Sequence, residues 1–118
     1  MITMKVVLLS SDLMVVSRVQ GTAARTGAAV RALSNASPAI ESCLNEQADV
    51  LIVDLATPSL DLETLVNGLK AVATRSTRIV AFGPHVHEDR LEAAREAGCD
   101  VVMSRGRFFA EMDSILGG

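Results

Sequence analysis

The chain contains no tryptophan and no tyrosine, only three prolines and only two cysteines. So few prolines leave no proline-rich linker, and neither a repeat nor a low-complexity segment is present. Cys43 and Cys99 stand apart with no Cys-x-x-Cys spacing, which excludes a disulfide framework and suits a reducing, cytoplasmic setting. Each is expected as a small buried hydrophobe. No apolar stretch approaches the roughly 20 residues that a membrane span needs. The N-terminal apolar run, Val6 to Leu9, is broken by Ser10-Ser11-Asp12 and is too short for the core of a signal peptide. Lysine and arginine form no dense cluster, and the net charge is −3. Nucleic-acid binding that tracks phosphates needs a basic patch, so neither nucleic acid nor membrane is expected as a partner.

What is present is apolar and regularly punctuated. A length of 118 residues with 49% apolar content suits one domain spanning 1–118, with a core that needs no staples. Short apolar runs alternate with helical patterns, the arrangement of βα units on a parallel sheet. The first strand is placed at 4–9 and is continuous enough to be buried on both faces. A helix follows over 12–26 with Asp12 as N-cap, and Leu13, Val16, Gln20 and Ala23 share a face. Gly21 inside it costs roughly 1 kcal/mol against alanine. A weaker strand at 28–33 carries Arg31, which marks it as an edge. Ser37-Pro38 is expected to open the second helix, with serine as the cap and proline at the first helical position, running to about Gln47.

The third strand is 49–54, and a helix capped by Asp61 runs to about Ala73. Residues 78–82 form the fourth strand, stopped by Gly83-Pro84. A charged helix over 87–97 turns Leu91, Ala94 and Ala97 inward and ends at Gly98. A fifth strand is placed at 100–104 and a helix at 107–116, and no output domain is expected within these residues. The pattern predicts an α/β fold: a flavodoxin-like (βα)5 three-layer sandwich with strand order 2-1-3-4-5.

In such sheets the chemistry lies beyond the carboxyl ends of the strands. Asp54 ends the most apolar run, Val50-Leu51-Ile52-Val53, and Pro58 follows it closely. Ser10-Ser11, Gly83-Pro84 and Arg105 reach the same edge. The stretches Ala48-Asp-Val-Leu-Ile-Val-Asp54-Leu-Ala-Thr-Pro58, Asp61 and Ala94-Arg-Glu-Ala-Gly-Cys-Asp100 make nearly the whole chain resemble the receiver domain of bacterial response regulators. The resemblance implies a signalling module in a two-component phosphorelay, whose acceptor aspartate, matched by Asp54, takes a phosphoryl group from a histidine kinase.

The remaining positions depart from that pattern. The family's acidic pair falls on Ser10 and Ser11, its switch hydroxyl on Gly83, its aromatic switch on Val102, its lysine on Arg105 and the proline after that on Gly106. Mg²⁺ demands hard charged oxygens, which serine hydroxyls do not supply. Asp12 lies one residue too late but within reach of the pocket. Binding of Mg²⁺ is therefore expected to be weak or absent, and no other cofactor is expected. The leading reading is a non-enzymatic module that binds a protein: a histidine kinase, a downstream signalling protein or a second copy. Its expected partner face comprises Arg95, Val102, Arg105, Arg107 and an exposed Phe109.

Two further functions stay open: a conventional phosphoacceptor that holds its metal through Asp12, and a small-ligand or enzyme subdomain on the same fold. No Gly-x-Gly-x-x-Gly, Walker motif or nucleophile–base pair supports the last. For Asp54 itself the alternatives are an acceptor position and a turn residue bonding the backbone after it. For Arg105 they are a solvated side chain and an ion pair with Asp54. His85 and His87 are expected in a solvated loop, since a His-x-His pair needs a third ligand to hold a metal.

Overall fold

Alternating apolar positions in the central strands face opposite ways, and both faces are covered. The computed structural model describes residues 3–72 and 77–117. Its strands are β1 (Lys5–Leu9), β2 (Ala29–Leu33), β3 (Val50–Asp54), β4 (Arg78–Gly83) and β5 (Val101–Ser104), all parallel in the order β2-β1-β3-β4-β5. Between them run α1 (Leu13–Thr26), α2 (Ala36–Glu46), α3 (Leu62–Val72) and α4 (Glu88–Ala97), with α5 (Arg105–Ala110) and α6 (Met112–Ile115) after β5. Val7, Leu9, Leu51 and Val53 pack with α2, α3 and α4. Val6, Leu8, Val50 and Ile52 pack with α1, α5 and α6 on the opposite face. The flavodoxin-like three-layer order expected from the residues is the one observed, with β2 and its Arg31 at an edge.

Most of the punctuation is local chemistry. The Asp12 carboxylate accepts from the N–H groups of Met14 and Val15 and caps α1. Asp61 caps α3 by accepting from the Thr64 N–H and hydroxyl. Gly98 ends α4 in the left-handed region at φ 103°. Burial pushes the thiols of Cys43 and Cys99 up to about 11, so both free cysteines are protonated fillers.

Three expectations need correction. Helix α2 begins at Ala36 with Asn35 at its N-cap, so Ser37 and Pro38 lie inside the first turn. Proline is tolerated there because first-turn N–H groups have no intrahelical partner. The last helix starts at Arg105 and divides into α5 and α6. In α1 the inward residues are Val15, Val19, Thr22 and Ala23, while Leu13 is 83% exposed. Leu13, Met14, Val15 and Val16 are consecutive apolar residues, so the packing angle of the helix on the sheet, rather than composition, selects its buried face. The end expected for α3 at Ala73 lies outside the described residues.

Gly21 sits in the middle of α1, and a Cβ built there meets no atom within 4 Å. Neither conformation nor close packing requires glycine at this position. Gly21→Ala is therefore expected to stabilise the fold by about 0.5–1 kcal/mol, read as a raised urea midpoint. A lowered midpoint would show that the backbone here departs from ordinary helix.

Candidate functional site

The carboxyl ends of β1, β3 and β4 bring Ser10, Asp54 and Gly83 to one edge. Asp54 is only 2% exposed. The Ser10 hydroxyl donates to its Oδ2 at 2.8 Å, and the Ala56 N–H donates to its Oδ1 at 3.0 Å. Its backbone carbonyl accepts from the Thr57 hydroxyl at 2.7 Å and the Thr57 N–H at 3.0 Å. The turn-forming reading of Asp54 is therefore realised geometrically, since a side-chain bond to the amide two residues on is the Asx pattern. Ser10, itself 3% exposed, also accepts from the Asp12 N–H at 3.1 Å. One buried hydroxyl thus ties the end of β1 to β3 and to the entry of α1. Ser11 is exposed and adds nothing to this network.

Arg105 does not pair with Asp54. Its guanidinium binds the Asp12 carboxylate at 3.1 Å, with side-chain exposures of 28% and 38%. Reaching a carboxylate sealed beneath Ser10 would strip a guanidinium of water, whereas Asp12 lies at the rim where both charges stay hydrated. The Arg105 hydrogen bond is the main cause that holds the Asp12 carboxyl below its ordinary 3.8; burial opposes it, and weaker bonds from the Met14 and Val15 N–H groups add to the lowering. The sign follows from linkage. A depressed folded value gives stability that is present above the unfolded value and lost as pH falls through the folded one. Carboxyl NMR is expected to place Asp12 below 3.8, with Arg105→Gln moving it back upward. A wild-type value at or above 3.8 contradicts the pairing.

Gly83 is buried, and a Cβ there lies 3.3 Å from Leu55 Cβ and 3.7 Å from Leu91 Cδ2. The space where a hydroxyl-bearing side chain would stand is thus occupied by leucine. Val102 is half-buried and packs with the α2–α3–α4 layer. Arg95 is exposed and paired with Glu92 at 3.1 Å, and Arg107 is exposed and paired with Glu111. Phe109, expected to be exposed, is half-buried. The Arg18 guanidinium covers its ring at 4.1 Å from the centroid, and that of Arg105 lies at 5.3 Å. One helical stripe of α5 hides Phe108, and the neighbouring α1 supplies the lid for Phe109.

Of the residues expected as a partner face, Arg95 and Arg107 are exposed and Val102, Arg105 and Phe109 are half-buried. Arg95 belongs to α4, whereas Phe109 and Arg105 turn toward α1. His85 and His87 are exposed, and no group of three or more His, Cys, Asp or Glu among the described residues is placed to hold a metal ion. A cavity of about 400 Å³ behind the β3–α3 loop is lined by Leu55, Thr57, Pro58, Leu60, Leu62 and Arg90, and Asp54 does not open into it. Sequence reasoning missed Arg18 and Leu55. Arg18 is an ordinary surface arginine on a helix. Only the spacing of Leu55 one residue after Asp54 hinted that it would sit beside the end of β4.

No family model and no curated protein matches the sequence. Similarity lies in the fold. A response regulator from Hahella chejuensis superposes with a TM-score of 0.83 at 16% identity, covering 97% of this chain and 92% of that one. The receiver domain of sensor histidine kinase PA1611 from Pseudomonas aeruginosa, solved with a magnesium ion coordinated in its active-site cleft, gives 0.82 at 18% identity, covering 98% and 95%. Chemotaxis response regulator CheY4 of Vibrio cholerae gives 0.77 at 18%, covering 98% and 97%. Over nearly its whole length the chain has the fold of response-regulator receiver domains.

Proposed function

We propose that this chain, as a single domain, is a receiver-like signalling module that acts by binding a protein and does not cycle a phosphoryl group on Asp54. The partner class is a histidine kinase, a downstream signalling protein or a second copy of the chain. The observation that carries this reading is the closed environment of Asp54. Both of its carboxylate oxygens accept hydrogen bonds from the chain itself, and the nearer neighbour is a serine hydroxyl rather than a second carboxylate. A magnesium ion takes hard oxygens in near-octahedral geometry. Asp12, the remaining candidate, is engaged by Arg105 and by the start of α1. These residues do not fit the ion. Phosphoryl transfer relies on such a cation to neutralise developing charge, so the proposal includes no step through it. Leu55 beside Gly83 and the non-aromatic Val102 add support, because neither of these positions supplies a hydroxyl or ring to report a modified Asp54.

Incubation with Mg²⁺ and a small phosphodonor, followed by intact-mass spectrometry, is expected to leave Asp54 unmodified. Asp54→Asn is expected to leave partner binding or self-association unchanged. Stoichiometric phosphorylation of Asp54 accompanied by altered association would replace this reading with a conventional phosphoacceptor.

A further inference from the structure

Helix α1 carries Arg18 and Arg25 and no acidic residue, although the chain as a whole is at −3. The sequence of α5 likewise has Arg105 and Arg107 and no acid, whereas α4 holds Glu88, Asp89, Glu92 and Glu96 together with Arg90 and Arg95. Helices α1 and α5 thus carry four arginines, with Asp12, Glu111 and Asp113 beside them. Three of these arginines have a carboxylate: Arg25 pairs with Asp113, Arg105 with Asp12 and Arg107 with Glu111. Arg18 has none among the described residues, and its guanidinium rests on the Phe109 ring. Stacking of this kind orders the planar group while leaving its edge N–H donors for a carboxylate.

Beside this stack lies a groove of about 360 Å³ lined by Ser17, Arg18, Gly21, Arg25, Phe109 and Met112, among others. Residues 18, 21 and 25 follow one another along a single helical face, so Gly21 separates the two cations. Any larger side chain there projects into open space, because a Cβ at Gly21 meets nothing within 4 Å. The glycine is unfavourable within a helix and serves neither conformation nor packing. Its lack of a side chain leaves the floor of the groove open between Arg18 and Arg25.

We propose that this α1–α5 groove is the docking site for an acidic segment of a protein partner, with one carboxylate taken by Arg18 over Phe109 and a second exchanged onto Arg25 in place of Asp113. The exchange is inexpensive, since the Arg25–Asp113 pair is about two-thirds exposed on both sides and such pairs contribute little. A short acidic protein segment is favoured over nucleic acid because the groove offers only two cations, Arg18 and Arg25, too few to track an extended phosphate backbone. The proposal rests on the reading of the chain as a protein-binding module. It moves the contact surface from the α4–β5–α5 side to the α1–α5 side.

The test uses a fluorescein-labelled helical Glu/Leu peptide whose glutamates are spaced by two turns, followed by anisotropy on the whole chain. Saturable binding that weakens with added salt is expected. Gly21→Met and Arg18→Gln should each weaken it about tenfold, Gly21→Met without lowering the thermal midpoint. Asp113→Asn should tighten it by freeing Arg25. Wild-type affinity in both Gly21→Met and Arg18→Gln overturns the proposal. So does equal binding of a Lys/Leu peptide, or tighter groove-dependent binding of a single-stranded oligonucleotide. Sedimentation showing that the wild type self-associates through this groove, in competition with the peptide, overturns the choice of occupant.

The same titration with Mg²⁺ and phosphodonor separates this proposal from the reading beneath it. A phosphodonor effect that Asp54→Asn abolishes ends the non-switching reading and leaves the groove standing. Groove variants that bind normally, with no phosphodonor effect, end the groove and leave the reading.

Discussion

Phe108→Ala is expected to destabilise the fold by about 3–5 kcal/mol, the range for truncating a fully buried aromatic. Phe108 has no exposed surface, and its ring stacks on Phe82 of β4 with centroids 4.1 Å apart and planes 3° from parallel. It is also the main anchor of α5, which at six residues is too short to persist without packing. Losing it releases Arg105 and Phe109 together, and with them the Asp12–Arg105 pair and the ring beneath Arg18. Urea denaturation measures the loss of stability, and the Asp12 carboxyl shift reports the loss of the pair. Phe109→Ala is expected to cost clearly less, because that ring is only half-buried and covered by a guanidinium rather than by core. A loss below about 1 kcal/mol for Phe108→Ala would mean that α5 is held by contacts other than this stack.

Replacing both serines, Ser10→Asp with Ser11→Asp, is expected to turn the region around Asp54 into a divalent-cation site, at a price in stability. Ser10 is 3% exposed and donates to Asp54, so an aspartate there removes a hydrogen bond to a charged group and sets like charges together in a buried place. Without divalent cations the double variant should be less stable by at least about 3 kcal/mol, as for an uncompensated buried charge. Added Mg²⁺ should recover much of the loss, because an ion that binds only the folded state stabilises it by mass action. Urea midpoints with and without Mg²⁺, for both proteins, measure this directly. A wild type whose midpoint rises with Mg²⁺ as the variant's does would show that Ser10 and Ser11 are not what keeps the ion away. A variant that gains nothing from Mg²⁺ would show that the backbone at the end of β1 holds the new carboxylates in the wrong place.

The elements of this fold were legible from the residues because their causes are local. Val6–Leu9, Val50–Val53 and Ile79–Phe82 are apolar on alternate sides, so each must be buried on two faces, and that demand produces a parallel sheet between helical layers. Asp12, Asp61 and Gly98 mark helix ends through bonds and backbone angles made within a few residues. Arg31 placed β2 at an edge through its charge alone, and Asp54 stood at the end of the third strand as its pattern required. The site was legible as a set of positions, with its partners left open.

Arg105 chose Asp12, 93 residues away, over the more deeply buried Asp54. Leu55 came to rest against Gly83, and Arg18 over Phe109. None of these pairings has a local cause. A long side chain ends where the distances between packed elements allow it to keep its hydration or find a surface, and those distances follow from the angle of α1 on the sheet and the short anchor of α5. Periodicity put Leu13, Val16, Gln20 and Ala23 on one face of α1, and of these only Ala23 is fully buried. The sheet turned Val15 and Val19 inward and left Gly21 beside Arg18 at the rim of a groove, an arrangement that exists only once the helices are packed.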